Sequence, residues 1–458
     1  MLAALRRRRL LVVVLACLAA LPAVAFGVSS LTDNPPPPAP VLERPNIVFV
    51  LTDDQSLESV ARMPYVSSRT DWITFDNAFL NVALCCPSRA SILTGQYSHH
   101  TGVEDNQGAA SLREQQTVAT WLQGAGYQTA LLGKYLNGYT GVRIPPGWDE
   151  WQAFTKVGYF DYALNENGRI VAHGSAEADY STDVLARRAQ RFIARQTGPF
   201  FLYLAPTSPH APRTAAPRHR DQFIDTPIIE PPSFNEADVS DKPAWVQALA
   251  PTDQAAMENQ RRKQYRSLLA VDDMVRDLFT SLQDNGELDT TVVVFMTDNG
   301  YSFGEHRYER KTCAYEECIR TPLLVRYPGA AAKHVSALAQ NVDIAPTFAH
   351  LAGVTPPIAE DGRNLVPLLR GVTTTWRDSV LLHWNGRRPD SPDPEDVTDV
   401  PAFWGVRTKR YKYVELETGE RELYDLRVDP YELDNRAGDA ALADIRADLA
   451  ARLEVLRQ

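Results

Sequence analysis

The residues with the clearest capacity for chemistry lie in the stretch ALCCPSRASILTG, from Ala83 to Gly95. Pro87 suits the first helical position, where its missing N–H costs nothing. Ser88 to Leu93 continue the turn and Gly95 ends it. Cys85 and Cys86 then stand at a helix N-terminus, where free N–H groups and the macrodipole favour negative charge. Arg89, one turn in, adds a fixed cation. Such surroundings suit an anion, or a nucleophile that becomes one, and an activated cysteine is the simplest reading.

The elements that carry these and other reactive types alternate regularly. PNIVFVLTDD is a short apolar run ending in two aspartates and predicts a buried parallel strand. TVATWLQGAGYQTALLGKYLN predicts helix, Gly stop, strand and then Lys134. STDVLARRAQRFIARQTGPFFLYLAPTSPH repeats the order with a strand over Phe200 to Ala205, and QYRSLLAVDDMVRDLFTSLQDNGELDTTVVVFMTDNG repeats it with a strand over Thr290 to Thr297. The pattern predicts an α/β fold with a large, mostly parallel sheet sandwiched by helices. Asp53-Asp54, Lys134, His210 and Asp298-Asn299 all follow strand carboxyl ends, the edge at which open α/β sheets bind ligands. Residues far apart in the chain are thus expected to meet in one crevice. From about Trp376 the pattern changes to SVLLHW, WGVRTKRYKYVELE and RELYDL, which predict antiparallel strands before a closing amphipathic helix.

The N-terminus predicts export. Arg6 to Arg9 precede a nearly unbroken apolar run from Leu10 to Val28, and Ala23-Val24-Ala25 is a signal-peptidase site. An uncleaved anchor to residue 28 is the alternative, and either reading makes the protein secreted or bound at the cell surface. NPPPPAP, Asn34 to Pro40, reads as a stiff spacer, with structure beginning near Asn46. The expected organisation is a signal peptide over 1–25, a Pro-rich linker over 26–44, a catalytic α/β domain over 45–375 and a C-terminal α+β subdomain over 376–458. The net charge of −10 argues against nucleic acid as partner. Four cysteines remain after cleavage, too few for a disulfide scaffold; Cys313 and Cys318 either pair or stay as thiols.

Cys85-Cys86-Pro87-Ser88-Arg89 followed by Leu93-Thr94-Gly95 resembles the signature of the formylglycine-dependent sulfatases, C-x-P-S-R with a trailing L-T-G. LTDDQ and TDNG resemble that family's two metal-binding segments, and GKY, SPH, VDIAPTFAHLAGV and ELYDLRVDPYELDN match further segments in order, from Pro45 to about Asn435. ALCCPSRASILTG, GKYLN and LLVRYPG resemble most closely the N-acetylglucosamine-6-sulfatases and heparan-sulfate sulfatases. The family belongs to the alkaline-phosphatase-like superfamily.

The resemblance implies that Cys85 is oxidised to formylglycine (3-oxoalanine) by a formylglycine-generating enzyme, while Cys86 fills a variable position. The aldehyde hydrates to a gem-diol; one hydroxyl attacks sulfur and the other later expels sulfate, a release step that a plain Cys or Ser lacks. Asp53, Asp54, Asp298 and Asn299, with the modified Cys85, form the implied oxygen shell for Ca²⁺, with Mg²⁺ as the alternative. By the same resemblance Arg89 and Lys134 support residue 85, while Lys311 and His210 contact the sulfate and one of them protonates the leaving oxygen. Many sulfatases carry a histidine two residues after the Lys134 position, where this chain has Leu136. His99 and His100 are candidates for that histidine's role or for sugar contacts, and His306 is a further substrate-contact candidate. The implied substrate is a sulfated sugar such as 6-sulfated N-acetylglucosamine. The competing readings are an arylsulfatase, a phosphonate monoester or phosphodiester hydrolase on the same fold, and a non-catalytic Ca²⁺-dependent glycan binder.

Overall fold

Buried strands alternating with amphipathic helices close into a sheet covered on both faces. The computed structural model describes residues 37–386 and 398–458, so the expected leader and most of the spacer lie outside the described residues. The strands are β1 (Asn46–Thr52), β2 (Ile73–Phe79), β3 (Gln128–Gly133), β4 (Glu150–Lys156), β5 (Ala163–Glu166), β6 (Arg169–Ala172), β7 (Phe200–Ala205) and β8 (Thr291–Thr297). A two-residue hairpin, β9 (Ser302–Phe303) and β10 (Glu309–Arg310), follows, then β11 (Leu323–Arg326) and β12 (Lys333–Gln340). The main sheet has the order β12-β2-β11-β8-β1-β7-β3-β4-β5-β6. Its centre, β8 through β4, is parallel, as is the β12–β2 pair. β11 runs antiparallel to both its neighbours, and β5 and β6 form an antiparallel edge.

Period-two alternation sends successive side chains of β1 to opposite faces. Ile47, Phe49 and Leu51 join one core with the helices Val118–Gly124 and Ile344–Leu351. Val48 and Val50 join the other with Leu268, Val271, Val275 and Leu278 of the long helix Gln254–Asp284. Each such fully buried aliphatic side chain contributes about 1.5–3 kcal/mol.

Register does the positioning. β1 and β8 pair in parallel with Thr52 opposite Thr297, so Asp53-Asp54 and Asp298-Asn299 leave the sheet side by side. β3 and β7 pair with Gly133 opposite Ala205, and the Lys134 amide donates to the Ala205 carbonyl at 2.8 Å.

The C-terminal strands β13 (Ser379–Trp384), β14 (Phe403–Thr408), β15 (Tyr411–Leu416) and β16 (Arg421–Asp425) form an antiparallel sheet. Leu449 and Leu453 of the helix Ala443–Leu456 pack against Leu381, Val406 and Leu423. The chain joins the fold earlier than the expected start near Asn46: the Ala39 amide donates to the Arg370 carbonyl at 3.0 Å, and Arg370 Nε donates back at 2.8 Å. Tyr327 OH also donates to the Pro40 carbonyl at 3.0 Å, and these three backbone-directed bonds hold the short piece, which is why a Pro-rich composition did not keep it apart. Cys313 and Cys318 form a disulfide. No helix among the described residues is long and apolar enough to cross a membrane.

His383, on β13, is buried and stacks on Trp404 with ring centroids 3.9 Å apart. Burial, with His99 and Arg457 nearby, pushes its pKa down to about 3. The folded state therefore prefers the neutral ring, so its contribution is intact above the unfolded value of about 6.5 and is lost as pH falls below it. Stability is expected to decline by up to about 1.4 kcal/mol per pH unit from this group below pH ~6.5. Urea melts at stepped pH should show a shallower acid slope in His383→Phe than in the parent chain; equal slopes would contradict this.

Candidate active site

The signature stretch forms the helix Cys85–Thr94, and all ten of its residues are buried. Leu84 is the extended N-cap, and Gly95 ends the helix in the left-handed region at φ 73°, its amide donating to Ser91. Cys85 rather than Pro87 opens the helix, so Pro87 falls third, still within the first turn, where an amide has no partner inside the helix. The Cys86 amide finds its acceptor outside the helix, on Asn106 Oδ1 at 3.1 Å.

Five segments converge on Cys85. Its sulfur lies 3.4 Å from Asp53 Oδ1, 3.9 Å from Asp54 Oδ1 and 2.9 Å from Lys311 Nζ. Lys311 Nζ also donates to Asp54 Oδ1 at 2.7 Å, and Asn299 Nδ2 donates to the same oxygen at 2.6 Å. Lys134 Nζ donates to Asp53 Oδ2 at 2.6 Å. Arg89 Nε donates to Asp298 Oδ2 at 2.7 Å, and its Nη2 lies 3.7 Å from Asp53 Oδ2. His210 places Nε2 3.8 Å from Asp54 Oδ2 and, with Asp53 and Cys85, forms a set whose ligand atoms all lie within 4.8 Å of one another. Asp53, Asp54, Cys85, Arg89, Asp298 and Asn299 are fully buried, while His210 is half-buried.

Electrostatics divide the carboxylates. Burial favours protonation of Asp53, but Lys134, with His210, Arg89 and Lys311, holds its carboxyl well below the usual range. Burial and the charge on Asp53 push Asp298 up to about 6 against the pull of Arg89 and Lys134. Burial raises the Cys85 thiol well above its ordinary value, more than Lys134 and Lys311 lower it. The unmodified side chain is thus a neutral thiol at physiological pH, which runs against the reading of an activated cysteine. Burial pushes Cys86 up to about 12, in keeping with a passive filler.

The donor set suits a hard divalent cation. Ligand atoms of Asp53, Asp54, Cys85 and Asp298 lie within 4.8 Å of one another. Two acceptor oxygens in the same cluster, Asp54 Oδ2 and Asn299 Oδ1, are buried without a hydrogen-bond donor. A buried acceptor in that state costs about 1–3 kcal/mol unless something electropositive meets it. Asp54 also sits at φ 63°, the left-handed region that non-glycine residues enter at a cost.

Three candidates lie elsewhere. None of the contacts of His99, His100 or His306 is with the carboxylate cluster. His99 packs on Trp404 and His383, and His100 Nδ1 lies 2.8 Å from Asp361 Oδ2. His306 Nδ1 lies 2.7 Å from Glu236 Oε2. The first two stand on the short helix Ser98–Thr101, whose Ser98 Oγ lies 3.1 Å from His383 Nδ1 on β13. Sequence reasoning missed the supports: Asn106 beneath Cys86, Gln264 Nε2 donating to the Asp54 carbonyl at 3.1 Å, and Tyr159 OH donating to the His210 carbonyl at 2.7 Å. No motif marks them, because each acts through a contact made only on folding.

Comparison with known proteins gives a consistent pattern. The Sulfatase family model matches residues 45–354, and a model for the C-terminal region of N-sulphoglucosamine sulphohydrolase matches 304–458. The human N-acetylglucosamine-6-sulfatase is 34% identical over 452 residues, covering 86% of this chain and 81% of that protein. The Drosophila melanogaster extracellular sulfatase SULF-1 homolog is 36% identical over 396 residues; they cover 81% of this chain but only 35% of that longer protein. A solved structure in complex with its substrate D-glucosamine-2-N,6-O-disulfate superimposes with a TM-score of 0.78 at 28% identity, over 90% of this chain and 97% of that one. The phosphonate monoester hydrolase of Agrobacterium radiobacter superimposes at 0.73 with 22% identity over 90% of this chain and 95% of that one, a likeness of fold.

Proposed function

The chain belongs to the sulfatase family of sulfuric ester hydrolases, and we propose that it is an exported enzyme that removes sulfate from a sulfated amino sugar of the N-acetylglucosamine-6-sulfate type. The observation that carries this is the meeting of Cys85, within C-x-P-S-R, with Asp53, Asp54 and Asp298 in one buried cluster of ligand atoms within 4.8 Å. In this reading residues 45–375 are the catalytic domain and 376–458 a supporting subdomain, downstream of a leader over 1–25.

Cys85 is the residue converted to formylglycine, whose hydrate supplies one hydroxyl to attack sulfur and a second to release it. The neutral, buried thiol supports this, since the unconverted side chain would be a poor nucleophile. Asp53, Asp54, Asp298 and Asn299 would hold Ca²⁺ beside residue 85, and the ion would neutralise charge on a sulfate oxygen. Arg89 and Lys134 offset the carboxylates and orient Asp53 and Asp298. Lys311 Nζ, already in contact with the Cys85 sulfur, is placed to bind the sulfate. His210 Nδ1 lies 2.8 Å from the Ala211 carbonyl, which fixes the ring as an Nδ1–H donor and turns Nε2 to the cluster. In the imidazolium form, with Nδ1–H held by that carbonyl, Nε2–H is the group that gives a proton to the leaving oxygen.

The test compares turnover of 6-sulfated N-acetylglucosamine and of matched aryl sulfate and aryl phosphonate esters, on protein co-expressed with a formylglycine-generating enzyme. Mass spectrometry of the peptide spanning Cys85 reports the aldehyde form. Sulfate esters should be the preferred substrates. Faster turnover of the phosphonate ester would instead favour the phosphonate hydrolase reading, and an intact thiol with sugar binding but no turnover would favour the glycan binder.

A further inference from the structure

A second cluster of ligand-type side chains lies apart from the proposed catalytic cation. His306 is 1% exposed and stacks on Tyr315 with ring centroids 3.9 Å apart. Its Nδ1 lies 2.7 Å from Glu236 Oε2, and Lys242 Nζ holds the other Glu236 oxygen at 3.0 Å. A carboxylate on Nδ1 places the ring proton there and leaves the Nε2 lone pair pointing the other way, the arrangement found behind metal-bound histidines. His306 Nε2 is buried and has no hydrogen-bond partner, and the same holds for Glu317 Oε2. Ligand atoms of His306, Glu317 and Glu432 all lie within 4.8 Å of one another.

Charge in this region does not balance. Glu236 pairs with Lys242, Glu316 with Arg407 and Arg320, and Glu432 with Lys412. Glu317 and Glu422 have no cation within ion-pair distance among the described residues. Glu422 Oε1 instead accepts from the hydroxyls of Tyr315 at 2.8 Å and Tyr424 at 2.6 Å. Two unmatched carboxylates in a buried region are costly unless a positive charge meets them.

We propose that His306, Glu317 and Glu432 hold a structural divalent transition-metal ion of the Zn²⁺ type. One imidazole nitrogen and two carboxylates suit such an ion and do not suit the all-oxygen preference of Ca²⁺ or Mg²⁺. Lys412 stays on Glu432, whose carboxylate oxygens have lone pairs to spare. The site has a clear mechanical consequence. His306 and Glu317 flank Lys311 in the chain, and Glu432 comes from the segment after β16. Arg307, Arg310 and Thr312 in that loop have φ of 61°, 129° and 77°, so the backbone needs holding at both ends. The ion would tie both ends of the Lys311 loop to the C-terminal region.

The test counts metal rather than turnover, so it stands apart from the hydrolase reading. The full chain, with its catalytic donor set kept filled by excess Ca²⁺, is loaded with one equivalent of Zn²⁺ or Co²⁺, dialysed and assayed for that metal by elemental analysis and visible absorption. One ion per chain and a cobalt band are expected. Both should vanish when His306→Gln is added, and also with the near-isosteric Glu317→Gln should the histidine variant not fold. A metal-free parent, or metal content unchanged by either substitution, would overturn the site.

Discussion

Cys85→Ser should abolish turnover of sulfate esters, with kcat/KM falling on the order of 10³-fold or more. The reasoning starts from the surroundings of the sulfur. Burial outweighs the pull of Lys134 and Lys311 and keeps the thiol protonated, so the unconverted side chain is a poor nucleophile, in line with the proposed conversion. A serine at 85 cannot be converted by the same chemistry from a thiol, and it offers one hydroxyl where release needs two. Folding should survive, because the substitution is nearly isosteric and Lys311 and Asp53 can hydrogen-bond to a hydroxyl as they do to sulfur. Cys86→Ala provides the contrast. Its side chain packs in the core and takes no part in the cluster, so turnover should stay within about threefold of the parent, a change below ~1 kcal/mol in the barrier. Steady-state kinetics with circular dichroism on both variants makes the comparison. Turnover retained in Cys85→Ser would remove residue 85 from the mechanism.

Arg89→Met should cost about 3–5 kcal/mol of stability, the range for removing one partner of a buried ion pair. The guanidinium is fully buried between Asp298 at 2.7 Å and Asp53 at 3.7 Å, and it also donates to the Lys134 carbonyl at 2.8 Å. Methionine fills much of the volume but leaves Asp298 facing Asp53 with less compensation. Burial, with that neighbour, already pushes the Asp298 carboxyl up to about 6, and it should protonate more readily still. The double variant Arg89→Met/Asp298→Asn should therefore lose less stability than the sum of its two single substitutions, as expected for residues in direct contact. Urea midpoints give the cycle. An Arg89→Met chain that unfolds at the parent midpoint would show that the pair contributes nothing, and strictly additive losses would show that the two side chains do not communicate.

Much of the site was legible before folding was considered. Strands that end in Asp-Asp and Asp-Asn, a Lys after Gly133 and a His after a strand are unusual at one sheet edge, and the chemistry tolerates few substitutes for those types. The C-x-P-S-R phrase singled out Cys85 and Arg89 for the same reason. The histidines were less legible. His99, His100 and His306 share the residue type but not the neighbourhood. Aromatic stacking draws His99 toward Trp404, a carboxylate at 361 takes His100, and Glu236 takes His306.

The sequence by itself determined the reactive types, their order along strand ends and the α/β alternation, because local periodicity and residue chemistry are properties of short stretches. Tertiary structure decided which of those types meet. Thr52 opposite Thr297 is a register choice between strands 245 positions apart, and Lys311 reaches Cys85 across 226 positions. Those pairings are stabilised by burial and charge contributed from many segments at once, so no single stretch of chain contains the information that selects them.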